Sequence, residues 1–84
     1  MSYSLIIPIF NEEKTLKTLL SQIETLNENI EIILINDGSN DRTKEILKSY
    51  YNLKIINHSK NLGKGSSLIS GVKCATNKNV IFMD

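Results

Sequence analysis

Residues 4–36 have the sequence SLIIPIFNEEKTLKTLLSQIETLNENIEIILIN, and they give the strongest indication of the fold. It opens and closes with apolar runs, residues 4–10 and 30–36, whose lack of polar alternation predicts strands buried on both faces. Residues 12–27 between them predict an amphipathic helix, with Asn11 as its N-cap and Glu12 in a first turn favoured by the helix dipole. Its inward face has apolar residues at helical spacing: Leu16, Leu19, Leu20, Ile23 and Leu26. Strand, helix and strand together predict a parallel pair joined by a right-handed crossover.

The rest of the sequence continues this alternation. Residues 41–51 and 64–76 predict two further helices, and residues 53–57 and 80–83 predict two further strands. The predicted inward side chains are Ile46, Leu47, Tyr50 and Tyr51 on the second helix, and Leu68, Ile69, Val72 and Ala75 on the third. The expected fold is therefore α/β, a Rossmann-like three-layer sandwich with a parallel sheet in the order β-α-β-α-β-α-β.

Length and composition limit the class of protein. With 84 residues, the chain predicts a single domain, residues 1–84, that can only just bury a sufficient core. A net charge of +1 argues against a nucleic-acid partner, and one cysteine excludes a disulfide framework. The apolar runs are too short to span a bilayer, and the N-terminus lacks a signal-peptide pattern. We therefore expect a cytoplasmic protein.

Polar residues follow three of the predicted strands. The first strand ends in Asn11 and Glu12, the second in Asp37 and the fourth in Asp84. If the strand order is 3-2-1-4, these residues line one crevice at the carboxyl ends of the strands, where open α/β sheets bind ligands. Each also has a simpler interpretation, because Glu12 suits a helix first turn, residues 37–38 suit a turn, and Asp84 is a terminal residue.

The loop NLGKGSS, residues 61–67, precedes the third predicted helix with two glycines. Glycines in that position can free backbone N–H groups for an anion, but a P-loop needs a further glycine upstream, where this chain has His58 and Ser59. Lys64 is therefore either a cation at a ligand site or a solvated surface lysine. We expect His58 to be a loop histidine without a metal, and Cys74 to be a small buried hydrophobe.

Four segments, IIPIFNEEKTL, IILINDGSNDRT, NLGKGSSLISGVKCAT and VIFMD, resemble in this order the N-terminal half of a family 2 glycosyltransferase with the GT-A fold. The last two look most like the dolichyl- or polyprenyl-phosphate sugar transferases. The resemblance covers the entire chain. It implies an inverting enzyme that transfers a sugar from a UDP- or GDP-sugar to an acceptor, for which this branch suggests a polyprenyl phosphate at the cytoplasmic face of a membrane.

The resemblance also implies roles for individual residues. The nucleotide-binding residues are expected to be Pro8, Phe10, Asn11, Glu12, Asp37, Gly63, Lys64 and Asp84. Among these, Phe10 stands where many relatives have tyrosine, Glu12 would lie near the ribose, and Asp37 would accept a hydrogen bond from the base. Gly63 and Lys64 would border the nucleotide.

Asp84 matches the first aspartate of the family's DxD motif, which holds the ribose or the Mg²⁺ or Mn²⁺ ion that bridges the diphosphate. The second aspartate would fall at position 86, past the last residue of this sequence. The acceptor-binding half and the catalytic base would also lie elsewhere in the parent enzyme. We therefore expect no catalytic residue in these 84 residues, and no activity of this piece by itself.

Two further expectations follow from the pattern. The alternative function is a non-catalytic α/β module, either nucleotide-binding or receiver-like, although a receiver needs an aspartate where the third strand here ends in Asn57 and His58. The fourth strand, residues 80–83, would have an unpaired apolar edge. Such an edge predicts self-association through that strand, or fraying of the strand.

Overall fold

Strands and helices alternate along the chain in the predicted order. A computed structural model describes residues 2–26, 29–50 and 53–83. The elements in these ranges are β1 (Tyr3–Ile9), α1 (Leu16–Glu24), β2 (Ile30–Asp37), α2 (Thr43–Leu47), β3 (Lys54–His58), α3 (Lys64–Cys74) and β4 (Asn79–Phe82).

The four strands form one parallel sheet in the order β3-β2-β1-β4. The long central pairing of β1 with β2 runs from Tyr3 opposite Ile30 to Ile9 opposite Asn36. This order confirms the expected 3-2-1-4 arrangement. It also excludes the receiver-like alternative, because a receiver fold places its third strand, not its fourth, beside the first.

The sheet has a core on each face, since successive side chains of a strand point to opposite sides. On the face covered by α1 and α2, the buried residues are Leu5, Ile7, Ile9, Leu16, Leu20, Ile23, Leu34 and Leu47. On the face covered by α3, they are Ile6, Ile33 and Ile35. Helices on both faces of a parallel sheet give the predicted three-layer α/β architecture.

The prediction for the inward face of α3 is wrong. Leu68, Ile69 and Val72 are 36%, 56% and 49% exposed, whereas the buried positions of this helix are Ser67 and Gly71. The reason is the close approach of α3 to the sheet, since a Cβ atom added to Gly71 would lie 2.5 Å from Cγ2 of Ile6. Only small residues fit at that distance.

Helices α1 and α2 are shorter than predicted. Helix α1 begins at Leu16 with Thr15 as its N-cap, so the prediction of Asn11 as the N-cap is wrong. Helix α2 has five residues; Leu47 is buried, whereas Ile46 and Tyr50 are only partly buried. Two predicted helix positions, Asn27 and Tyr51, lie outside the described residues. In the described ranges, no helix has the length and apolar character needed to cross a membrane.

Leu26 and Cys74 also differ from expectation, whereas Ala75 packs inward as predicted. Leu26 follows the end of α1 and is 41% exposed, whereas Leu19 is partly buried against the core. Ala75 lies just after α3 and packs, with Cys74, against the isoleucine cluster on that face of the sheet. Cys74 is therefore partly rather than fully buried.

Candidate functional site

A cleft of about 410 Å³ opens at the carboxyl ends of β1 and β2, where the strand order predicted a crevice. Its lining residues are Pro8, Ile9, Phe10, Glu12, Asp37, Asn61, Gly63 and Lys64. Six of the eight residues expected to bind nucleotide are in this set. Asn11 is next to the cleft but does not line it, and Asp84 lies outside the described residues. Ile9 and Asn61 were not predicted, although Ile9 lies between Pro8 and Phe10 and Asn61 is the first residue of the NLGKGSS loop.

The loop between β1 and α1 is fixed to the loop between β2 and α2. Three consecutive backbone N–H groups donate to side chains of the second loop: Asn11 to Oγ of Ser39, Glu12 to Oγ1 of Thr43, and Glu13 to Oδ2 of Asp41. In return, Oδ1 of Asn11 accepts the N–H of Asn40 at 2.7 Å. These bonds, with the positive φ of 51° at Asn11, explain why α1 starts only at Leu16.

Phe10 and Glu12 extend from this fixed loop to the wall of the cleft. Phe10 lines the cleft and is 41% exposed, so part of its ring is accessible to a ligand. Oε2 of Glu12 accepts a hydrogen bond from the Thr15 hydroxyl at 2.7 Å, and the carboxylate is otherwise exposed. The wall therefore presents an aromatic face and an acceptor side by side.

Asp37 is buried at the base of the cleft and holds the loop that follows β3. Its Oδ1 accepts the Leu62 N–H at 2.8 Å, and its Oδ2 accepts the Gly63 N–H at 2.9 Å. Burial opposes ionisation, but these bonds and one from His58 outweigh it and hold the pKa of Asp37 below its ordinary value. The carboxylate therefore connects two loops distant in sequence and does not merely close a turn.

Two glycines allow these loops to approach each other. Gly38 has φ 71°, and a Cβ atom there would lie 2.2 Å from the carbonyl carbon of Lys60. Gly63 combines φ 95° with ψ 169°, a region that essentially only glycine adopts. That conformation directs its N–H to Asp37 and its carbonyl to the first turn of α3, where Ser67 donates to it.

His58 is not the loop residue that the sequence predicted, because it is the last residue of β3 and pairs in register with Asp37. Its side chain is 9% exposed. Nδ1 lies 2.8 Å from Oδ1 of Asp37, and Nε2 lies 2.8 Å from Oγ of Ser70 on α3. The strand register could have indicated the first contact, but nothing local in the sequence indicates the second.

Comparison with known proteins assigns the chain to a family. The model of the family described as "Glycosyl transferase family 2" matches residues 4–84. The chain belongs to this family. This confirms the resemblance stated from the sequence and, with the strand order, replaces the receiver-like alternative.

Proteins with related sequences include two curated enzymes. One is the dolichyl-phosphate beta-glucosyltransferase ALG5A of Trichomonas vaginalis, 35% identical, with 96% of this chain and 29% of that protein covered. The other is the dolichol-phosphate mannosyltransferase of Pyrococcus furiosus, 38% identical, with 100% and 25% covered. Residues 1–349 of S. aureus TarS, in complex with UDP, share the fold at a TM-score of 0.85 and 30% identity, with 100% and 27% covered. The chain thus spans less than a third of the length of each relative.

The metal expected from the family 2 resemblance has no complete site among the described residues. Within residues 2–26, 29–50 and 53–83, no three His, Cys, Asp or Glu side chains come together in a way that could hold a metal ion. Glu12 and Asp37 are both at the cleft, and the oxygens of Asp37 accept three hydrogen bonds, from His58 and from the backbone N–H groups of Leu62 and Gly63. The metal, and Asp84 as its ligand, therefore stay predictions.

Proposed function

We propose that residues 1–84 are the nucleotide-sugar-binding part of an inverting glycosyltransferase that uses a UDP- or GDP-sugar. The observation that carries the proposal is the cleft, which brings together six of the residues that the sequence motifs assign to the nucleotide. The complex of TarS with UDP and the dolichyl-phosphate transferases among the relatives support the same class of donor and suggest a polyprenyl phosphate acceptor. With such an acceptor, the enzyme would act in the cytoplasm at the membrane face.

Each side chain of the cleft has chemistry suited to one part of the donor. The exposed ring of Phe10 offers an apolar face to the base, and the Glu12 carboxylate can accept a hydrogen bond from a ribose hydroxyl. Asp37 can accept an N–H of the base. Lys64 begins α3, so its positive charge and the helix N-terminus lie together on the side suited to the diphosphate.

The proposed reaction is a direct displacement at the anomeric carbon. The acceptor oxygen forms the new bond while the bond to the diphosphate oxygen breaks, and the nucleoside diphosphate leaves with the electron pair. The residues of this chain bind and orient the donor, and the acceptor site and any general base would come from other parts of the enzyme. A Mg²⁺ or Mn²⁺ ion, for which Asp84 is the proposed ligand, would neutralise charge on the diphosphate.

Calorimetric titration with UDP-glucose and GDP-mannose tests the proposal. We expect binding of one of them to the full chain, and a roughly fivefold or greater loss of affinity in Phe10→Ala, since stacking of a base on an aromatic ring contributes about 1–3 kcal/mol. Leu26→Ala is the matched control, because Leu26 is also 41% exposed but lies away from the cleft. Absence of binding at millimolar nucleotide sugar, or equal affinity of both variants, would contradict the proposal.

The proposed metal dependence has its own test. The same titrations with MnCl₂ and with EDTA are expected to show tighter binding when the metal is present. Asp84→Asn should remove most of that difference, whereas Asp41→Asn should preserve it, because Asp41 binds backbone N–H groups outside the cleft. Equal affinities for the nucleotide sugar with MnCl₂ and with EDTA would contradict the proposed metal dependence.

A further inference from the structure

Three side chains from three elements form a continuous hydrogen-bonded chain beneath the cleft. Asp37 ends β2, His58 ends β3, and Ser70 lies on α3. The two links are each 2.8 Å, from Oδ1 of Asp37 to Nδ1 of His58 and from Nε2 of His58 to Oγ of Ser70. Both the imidazole and the carboxylate are almost completely buried. We call these residues the Asp37–His58–Ser70 chain.

The direction of the first link follows from the charge of Asp37. An ionised carboxylate can only accept hydrogen bonds, so Nδ1 of His58 must donate to it. In the neutral ring Nε2 then accepts the Ser70 hydroxyl proton, and in the charged ring Nε2 donates to Ser70. Either way, His58 presents an N–H to Oδ1, and Ser70 fixes the plane of the ring.

The same connectivity occurs in Ser-His-Asp hydrolases, but this chain of residues lacks what such a reaction needs. A triad requires N–H donors for the oxyanion next to its serine. Ser70 lies inside α3, residues Lys64–Cys74, where the backbone N–H groups are used in helical hydrogen bonds. A positioning role therefore fits the arrangement better than a nucleophilic one.

His58 determines which lone pairs of Asp37 remain for a ligand. Oδ1 accepts two hydrogen bonds, from His58 and from the N–H of Leu62, which fill both of its lone pairs. Oδ2 accepts the Gly63 N–H, and no other donor to it is found among the described residues. The carboxylate thus offers one acceptor position, on Oδ2, at the base of the cleft.

We propose that His58 is a positioning residue that makes the site selective for a base with a single N–H, such as uracil, over guanine. This inference rests on the proposed function. Guanine presents adjacent N1–H and N2–H donors that pair best with both oxygens of a carboxylate, and Oδ1 is already occupied. Uracil presents one N3–H, which matches the one remaining position.

Three nucleotides test this selectivity on the wild-type chain: UDP, N3-methyl-UDP and GDP. The methyl group replaces the N3–H with a bulkier group that cannot donate a hydrogen bond, and the ribose and the diphosphate are unchanged. Because a hydrogen bond to a charged group is worth about 1.5–3 kcal/mol, we expect UDP to bind roughly tenfold or more tightly than N3-methyl-UDP. We also expect it to bind more tightly than GDP. GDP binding as tightly as UDP would overturn the inference without any variant.

Two variants separate positioning from simple structural support. His58→Asn places an amide N–H where Nδ1 lies, and the longer His58→Gln places it near Nε2, away from Asp37. The ratio of the GDP to the UDP dissociation constant should stay near the wild-type value in His58→Asn. It should fall at least about threefold in His58→Gln, because a lone pair of Oδ1 then becomes free for the second N–H of guanine. Ser59→Ala, at an exposed neighbouring residue, is the control and should keep the wild-type ratio.

The outcomes distinguish the two proposals. A purely structural role of His58 would weaken UDP and GDP equally and leave the ratio unchanged in His58→Gln, which would overturn the inference while the proposed function stands. A wild-type chain that binds neither UDP nor GDP would overturn the proposed function itself, and the inference with it. If His58→Gln does not fold, the wild-type comparison of UDP with GDP decides.

Discussion

Glu31 connects four parts of the chain at the end of the sheet opposite the cleft. It is the second residue of β2, and its carboxylate pairs with the ammonium of Lys54 on β3. The hydroxyl of Ser4 on β1 donates to Oε1 at 2.7 Å, and both the N–H and the hydroxyl of Thr76, after α3, donate to the carboxylate at 2.9 Å. The Lys54 hydrogen bond, only partly opposed by burial, lowers the pKa of Glu31 from 4.5 to about 2.

Replacement of Glu31 by glutamine should therefore change the pH dependence of stability. A carboxylate whose pKa is lowered on folding stabilises the protein fully above its unfolded pKa, and this contribution is lost as the pH falls from about 4.5 towards 2. We expect Glu31→Gln to lower the free energy of unfolding at pH 7 by about 1–2 kcal/mol, allowing for solvent screening around the partly exposed Lys54. The deficit should shrink near pH 2.5.

Urea denaturation at pH 7 and pH 2.5 measures this difference. Glu45→Gln is the control, because Glu45 pairs with Arg42 on the surface and both side chains are more than 65% exposed. A constant gap between wild type and Glu31→Gln at both pH values would show that Glu31 contributes through shape and not through charge.

Single residues also mark the limit of what the sequence could predict. Asp37 is predictable from its place after a strand, because the carboxyl ends of parallel strands meet at one edge. The strand register could indicate His58 as its partner, but not Leu62 and Gly63, which lie in a loop more than twenty residues away along the chain. Contacts of that kind depend on the paths of the loops, and hydrophobic periodicity carries no information about those paths.

At the scale of elements, the strands were predictable and the face of α3 was not. Each of the four described strands lies within one residue of its predicted bounds, because a buried parallel strand is a continuous apolar run. For α3, periodicity selects the largest apolar residues as the inward face. The separation of helix and sheet decides otherwise, because Gly71 lies against Ile6 and leaves no room for a larger side chain.

Gly71→Ala should therefore destabilise the protein. The added methyl group would lie within 3 Å of three side-chain atoms of Ile6, which is fully buried and branched at Cβ. Overpacking of this kind costs about 1–3 kcal/mol, more than the helix propensity gained over glycine. Gly65→Ala in the same helix is the matched control, because a Cβ there has no neighbour within 4 Å. Denaturant unfolding should show opposite signs for the two variants, and stabilisation by both would contradict the close packing.

At the scale of the whole molecule, the sheet has two different edges. β3 forms one edge, with the charged Lys54 at its start, and charged side chains discourage pairing with another chain. β4 forms the other edge of the sheet. Among the described residues, β4 pairs with β1 on one of its sides and with no strand on its other side. Val80 and Ile81 of β4 are 37% and 45% exposed, so this edge combines free backbone groups with apolar side chains.

We therefore expect the 84-residue chain to self-associate through β4, by addition of a strand from a second copy. Sedimentation equilibrium should show an average mass that rises with concentration, and Ile81→Lys should return the chain to a monomer because a charge on the edge opposes strand pairing. Ile69→Lys is the control: Ile69 is 56% exposed on the outer face of α3, away from the edge, so its variant should associate like the wild type. A monodisperse wild-type monomer whose residues 80–83 are strongly protected from amide exchange would contradict the prediction, because the edge would then be stable without a partner.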